Sequence, residues 1–464
     1  MSADASPGSA RRARSEQTNA TDEGPDAVRA LEFYCGVGGL HFSLLRARPN
    51  GDARVVGAFD INPNACDVYE ANFGTRPIAN SLSAVPAAKL DAFNSSLWLM
   101  SPPCQPFTRQ GSQRDASDAR SESFLRLLDV LPALARKPSY LLVENVVGFE
   151  TSETRELMLT TLERNGFSHR EFILTPRMFG VPYSRPRYFC AAKRRGLPWA
   201  DGDDVVAERT VRRAPPRASL SHPKHWVPRG YEDDLEQAEP TEATVPRLKR
   251  EDGQTAAQAA AAAKARHRNS APDGGDDASA REGSSRTSRT YGVASLRGFL
   301  ESTSDASWSE HEVSIAELRK ARLSVDAVLP GDRKCNCFTK SYGKFTKGTG
   351  SFLVESAFDF KAWDPLGPEP PKRAREEASV RPSVDAADGD DAGAARARDA
   401  EHTRPPRTRY FSPREVANIH SFPATFAFPD RITKAQRFAL LGNSLSVACV
   451  APLLEYLLND AGEE

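Results

Sequence analysis

Cys104 stands in the run Ser101-Pro102-Pro103-Cys104-Gln105-Pro106-Phe107, directly after the apolar stretch Leu97-Trp98-Leu99-Met100. Four apolar residues closed by two prolines read as a short buried strand that ends there. Prolines on both sides restrict the backbone around the thiol, and the carboxyl ends of strands in an open α/β sheet are where ligands bind. A nucleophile would be wanted at such a place. Cysteine is ordinarily a small apolar filler, however, so the case depends on what stands beside it.

Other polar groups follow strand-like runs in the same manner. Residues 30–34 lead into Cys35-Gly36-Val37-Gly38-Gly39, residues 55–59 end at Asp60, and residues 140–146 carry Glu144 and Asn145 at their far end. A buried strand rarely finishes in Glu-Asn for packing reasons. Ser184-Arg185-Pro186-Arg187 opens a further strand, and alternation along it puts both guanidiniums on one side. A doubly wound parallel sheet brings such ends together on one rim, so Tyr34 with Gly36, Asp60, Cys104 and Glu144 are expected to share a site.

The positioning elements suggest a ligand. Glycines after a strand let the backbone turn sharply, and a helix from Leu40 to Ala47 would offer free N–H groups. Asp60 lies one βαβ unit further on, where such folds hold a ribose by its hydroxyls. Neither a pyrophosphate-type second glycine pair nor a Gly-Lys-Ser/Thr phosphate loop follows. A nucleoside without phosphates fits better than NAD or ATP, and S-adenosylmethionine is one.

Residues 108–122 are polar, with Arg109, Gly111, Arg114 and Arg120, and suit a lid over the site or a plain connector. Between Lys334 and Gly350, lysines and aromatic residues interleave, which suits phosphates and unpaired bases; a hairpin with a solvated lysine edge fits the spacing as well. Ser412, Pro413 and Glu415 have the spacing of a capped helix start. Gly442-Asn443-Ser444 reads as a turn entering the last apolar helix, which could return to cover the cofactor.

Composition sets limits. Lys+Arg and Asp+Glu are 62 each, so contact with a polyanion must come from local basic patches. Hydrophobic residues are 39% of 464, and the tracts 255–288 and 365–406 lack apolar periodicity, so a core interrupted by unfolded insertions is expected. Seven cysteines without repeated spacing argue against a disulfide framework, and no Cys-x-x-Cys suggests a zinc site, so no metal is expected. Without a signal-like apolar run or a stretch of eighteen apolar residues, a soluble chain in the cytoplasm or nucleus, away from membranes, is expected. Arg11, Arg12 and Arg14 hint at a transit peptide, but the nearby acidic residues favour a disordered tail.

In order along the chain, these motifs resemble those of the cytosine-5 methyltransferase family, in particular its DNA-methyltransferase-like branch acting on aspartate tRNA. The resemblance is carried by residues 33–39, Pro102-Pro103-Cys104-Gln105, Glu144-Asn145-Val146, Arg185-x-Arg187 and Gly442-Asn443-Ser444. The branch is indicated by Cys337-Phe338-Thr339-Lys340 with Tyr342-Gly343 and Gly348-Thr349-Gly350.

The resemblance implies an α/β, Rossmann-like S-adenosylmethionine-dependent methyltransferase with a smaller target-recognition lobe. Residues 1–27 would be a tail and 28–198 the catalytic core. The lobe would span 199–362 with a low-complexity insertion near 240–290, followed by an insertion at 363–408 and a segment 409–460 completing the core. Cys104, Glu144, Arg185 and Arg187 would be catalytic. Phe33, Cys35, Gly36, Val37, Gly39, Asp60, Leu82, Ser83, Ser101, Asn443 and Ser444 would hold S-adenosylmethionine. Arg109, Cys337, Phe338, Thr339 and Lys340 would meet the substrate, a tRNA, with duplex DNA as the alternative; a catalytically silent RNA-binding relative is the other, and a monomer is favoured. Pro186 between the arginines and the two long insertions depart from the family pattern.

Overall fold

The computed structural model describes residues 27–103, 122–200, 209–216, 292–301, 305–361, 363 and 405–459. Cys104, Arg109, the polar stretch after them, the N-terminal tail and both low-complexity tracts lie outside the described residues.

Strands β1 (Val28–Phe33), β2 (Ala53–Phe59), β3 (Leu97–Met100) and β4 (Tyr140–Val146) pair in parallel. Beyond them lie β5 (Phe167–Leu174), β6 (Arg187–Arg194) and β7 (Val211–Arg212), giving the order β2-β1-β3-β4-β6-β5-β7. β6 lies antiparallel to both β4 and β5, so the sheet is mixed rather than wholly parallel. The four strands that carry the rim are parallel, as the sequence leads one to expect.

Both faces of the sheet are buried, and side-chain alternation splits the core. Ala30, Leu97, Leu99 and Leu142 face α1 (Gly39–Ala47) and α10 (Val447–Leu458), whereas Leu31, Phe33, Trp98, Met100 and Val143 face α4 (Glu122–Ala133) and α5 (Glu153–Arg164). α10 is apolar on almost every side because it is enclosed, packed on α1, β4 and β6. The stretch Lys434–Leu458 is long and apolar enough for a membrane span by composition, yet it breaks into α9 (Lys434–Asn443) and α10 and is mostly buried inside the protein.

A three-stranded sheet of β8 (Ala327–Val328), β9 (Phe352–Val354) and β10 (Thr408–Arg409) has its own small core of Val313, Leu318, Val354, Phe360 and Trp363. Backbone bonds stitch it to the large sheet: Cys335 N–H donates to Pro182 O at 2.9 Å, and Ser184 N–H returns to Cys335 O at 2.9 Å. No strand forms within the lysine-rich stretch after Cys335, so the hairpin expectation fails. Phe338 and Tyr342 pack into the core instead. Next comes α8 (Pro413–Ile419), which starts as its sequence indicates, with Ser412 and Glu415 forming a reciprocal capping box and Pro413 in the first turn.

Candidate active site

Register sets the rim of the large sheet. Phe33 pairs with Phe59 and Met100, and Met100 with Val143, so Tyr34, Asp60, Ser101 and Glu144 each come one step further at a common level. A cavity of about 590 Å³ opens there, within the range of small-molecule sites. All four residues line it.

One wall is the glycine turn. Gly38 has φ 86° and caps α1, and a Cβ there would lie 2.2 Å from the Phe73 ring, so both conformation and space demand glycine. Gly36 N–H donates to Asp60 Oδ2 at 2.8 Å and Asn62 N–H to Oδ1 at 2.8 Å, fixing the carboxylate at the end of β2. Burial raises the Asp60 carboxyl above its ordinary range, against the pull of those N–H donors.

The first-turn donors of α1 are not all free for a ligand, contrary to the sequence reading. Glu32, wholly buried, accepts from His41 N–H at 3.2 Å, and from the Tyr69 hydroxyl at 3.0 Å, which in turn lies 2.8 Å from His41 Nδ1. Burial holds the Glu32 carboxyl up at about 8 and the His41 imidazole down at about 4. The signal was present in the sequence: a lone carboxylate inside an apolar strand.

The opposite wall holds a chain of polar groups. Ser101 Oγ donates to Glu144 Oε2 at 2.6 Å, and Arg187 Nε lies 3.4 Å from Glu144 Oε1. Pro102 and Pro103 line the cavity beside them, and Pro103 is the last described residue before Cys104.

The two arginines do different things. Arg185 is 3% exposed and binds three segments: Tyr183 Oη at 3.4 Å, Cys337 Sγ at 3.1 Å, Phe338 O at 3.2 Å, Gly442 O at 2.9 Å and Ser444 O. It ties the lobe and the α9–α10 junction to the start of β6. Arg187 remains on Glu144. Burial raises the Cys337 thiol, but the Arg185 and Arg187 charges and the bond from Arg185 outweigh it, leaving this thiol below its ordinary value. Burial drives the other described cysteines upward.

Of the residues assigned to the cofactor, Cys35, Gly36, Val37, Gly39, Asp60, Leu82, Ser83, Ser101, Asn443 and Ser444 all line this cavity. Phe33 does not: alternation turns it toward α4, where it stacks 5.3 Å from Phe59. Asn443 and Ser444 close α9 rather than open α10, because a Thr433–Gln436 capping box starts a helix upstream. Cys337, Phe338, Thr339 and Lys340 lie behind that junction, with Phe338 buried against Tyr183 and Phe411 and Lys340 exposed. Tyr34, expected on the rim with Gly36, also lines the cavity; the sequence reading missed Asn80 and Ile61, the latter 73% exposed beside Asp60. Among the described residues no group of His, Cys, Asp or Glu could hold a metal.

The chain is 34% identical over 442 residues to the tRNA (cytosine(38)-C(5))-methyltransferase of Homo sapiens, covering 93% of this chain and 99% of that one. It is 30% identical over 438 residues to the DNA (cytosine-5)-methyltransferase of Dictyostelium discoideum, covering 94% and 95%. The crystal structure of S. pombe Dnmt2 methyltransferase superposes with a TM-score of 0.58 at 28% identity, over 93% of this chain and 98% of that one. Residues 28–459 match the family model for C-5 cytosine-specific DNA methylases, and the chain belongs to that family of methyltransferase enzymes.

Proposed function

We propose that this enzyme transfers the methyl group of S-adenosylmethionine to C5 of a cytosine in RNA, the anticodon-loop cytosine 38 of aspartate tRNA. The observation that carries the reading is the single cavity in which Asp60 and the glycine turn face Ser101, Glu144 and Arg187. It is supported by relatives from Homo sapiens and Mus musculus, both named for cytosine 38 of tRNA.

The residues fit that cofactor. A Cβ on Gly36 would meet no atom within 4 Å, so the turn leaves open space where a nucleoside approaches the backbone. Asp60 accepts from the Gly36 and Asn62 N–H groups, with Ile61 N–H also on the carboxyl, which still leaves part of its roughly four acceptor sites for ribose hydroxyls. Ile61 offers a bare apolar face for a purine. When bound, S-adenosylmethionine supplies an electrophilic methyl group on a sulfonium.

The chain's own residues make C5 reactive. The Cys104 thiolate adds to C6, which turns an electron-poor aromatic ring into an enamine with a nucleophilic C5. Glu144 gives a proton to N3 as the sulfur adds, and Arg187 holds O2. Ser101 donates to one Glu144 oxygen and the Arg187 guanidinium lies 3.4 Å from the other, which fixes the carboxyl at the cavity wall where the base would meet it. Once C5 carries the methyl group, the spent donor being left as a neutral thioether, a base takes the C5 proton. The bond from the Cys104 sulfur to C6 breaks to release the thiolate, and N3 returns its proton to Glu144. A base in an anticodon loop reaches such a site at less cost than one stacked in a duplex.

The test is transfer of labelled methyl to an aspartate tRNA transcript, to the same transcript with uridine at 38, and to duplex DNA. Transfer to the first alone is expected, with loss in Cys104→Ala at unchanged cofactor affinity. The DNA reading rests on the Dictyostelium relative's name, and transfer to the duplex alone would favour it.

A further inference from the structure

The lysine and aromatic segment after Cys337 does not act as one surface. Phe338 and Tyr342 are 1% exposed and belong to the core, where Tyr342 Oη donates to Ser351 O at 2.7 Å and accepts from Phe411 N–H at 2.9 Å. Phe345 is 55% exposed, the one aromatic ring among the large apolar side chains left bare in the described residues. Lys340, Lys344 and Lys347 are exposed around it, with Lys344 Nζ 5.4 Å from the ring centroid.

The loop that presents this ring is held at its base and along its length. Thr339 N–H donates to Thr349 O at 2.8 Å, Phe345 N–H to Ser341 O at 3.1 Å, and Thr349 Oγ1 to Phe345 O at 2.6 Å. Its first residues lean on the cavity wall: a Cβ on Gly442 would lie 2.3 Å from Lys340 N. A hydrogen-bonded loop rooted at the cavity therefore leaves a ring exposed, with Lys344 beside it and Lys340 and Lys347 exposed on the same loop, and none of these lysines forms an ion pair among the described residues.

We propose that Phe345 is a stacking platform for an unpaired base of the RNA loop whose cytosine enters the cavity, with Lys344 and Lys347 on the adjoining phosphates. The proposal rests on the RNA reading above and names the surface that serves it. A ring accepts the π-face of any base, and lysines beside it follow the backbone, so the surface favours single-stranded over duplex RNA.

The experiment measures Kd of the full chain for an aspartate tRNA transcript, with cofactor affinity as the folding control. Phe345→Ala should raise Kd roughly 5- to 150-fold, the equivalent of one lost base stack. Phe345→Trp should bind as wild type, and Phe345→Leu as the alanine variant. Lys344→Gln with Lys347→Gln should lower the slope of log K against log salt by about 1.4. Wild-type Kd in Phe345→Ala, full binding by Phe345→Leu, or an unchanged salt slope overturns the proposal. If the wild type methylates no RNA the functional reading has failed; if it methylates RNA and Phe345→Ala binds it equally well, the platform alone has failed.

Discussion

Ser101, one residue past β3, and Glu144, in the neighbouring parallel strand β4 and 43 positions along the sequence, are joined by a 2.6 Å hydrogen bond at the cavity wall. The bond holds one carboxyl oxygen of Glu144 while Arg187 approaches the other. If Glu144 is the proton donor to the base, Glu144→Gln should slow single-turnover methyl transfer about 10²- to 10⁴-fold. Ser101→Ala should slow it about tenfold or more by freeing the carboxyl to rotate. An undiminished rate in Ser101→Ala would show that the bond orients nothing.

Arg185 and Arg187 are two residues apart, yet their replacement should fail in different ways. Arg185→Met leaves the buried carbonyl of Phe338 and the half-buried ones of Gly442 and Ser444 short of a donor, at a cost of about 1–3 kcal/mol, read as a lowered thermal midpoint. Arg187→Met removes a half-buried partner of Glu144 and should lose activity with little change in midpoint. Equal midpoints for the two variants would refute the clamp.

Buried pairs give a second stability test. Arg409 and Glu415 are both fully buried and joined by two bonds of 2.7 Å, and Glu415 also accepts from Ser412 N–H at 2.8 Å. Glu415→Ala would leave a guanidinium without its carboxylate and should cost about 3–5 kcal/mol in chemical denaturation. A loss below about 1 kcal/mol would mean that water reaches the charge.

Much of the site was legible because strand ends and capping spacings are local signals. Asp60 and Glu144 stand out as carboxylates closing apolar runs, and parallel register then aligns them without further information. Phe33 was misread because its position beside the glycine turn says less than its parity: odd residues of β1 face α4 and α5. Strand direction was not legible either, since β6 has the same apolar character whether it runs with β4 or against it. Phe338 and Phe345 look alike in sequence, and only the packing of Tyr183 and Phe411 buries one and not the other.

Glu32 ties the first turn of α1 to pH through His41 N–H and the Tyr69 hydroxyl. Burial first, with the nearby Asp60 charge, holds its carboxyl at about 8 against an ordinary 4.5, despite the bonds from Tyr69 and His41. The folded chain thus keeps a proton that the unfolded chain loses. This contribution to stability is full below pH 4.5, declines as pH rises toward 8, and is gone above it. Glu32→Gln fixes the neutral form, so the midpoint of the wild type should fall relative to the variant across that window. His41, held at about 4 against an ordinary 6.5, adds a slope of opposite sign between those values, but it does so in both proteins and cancels in the comparison. Parallel midpoint curves would mean that Glu32 is ionised in the folded chain.

Two glycines on the cavity wall separate space for a ligand from space for packing. A Cβ on Gly442 would lie 2.3 Å from Lys340 N and Thr339 C, and backbone atoms cannot swing aside as a side chain can. α9 and the segment after Phe338 would have to part, stretching the Arg185 bonds to both. Gly442→Ala should therefore lower stability by about 1–3 kcal/mol and weaken RNA methylation. A Cβ on Gly36 meets nothing within 4 Å, but it would stand in the cavity at φ 53°. Gly36→Ala should cost about 1–2 kcal/mol of backbone strain and show its main effect in cofactor affinity, measured by calorimetry. If Gly442→Ala instead left stability intact and lost only cofactor affinity, the contact with Thr339 and Lys340 would be no constraint, and the lobe would not depend on this wall for its place.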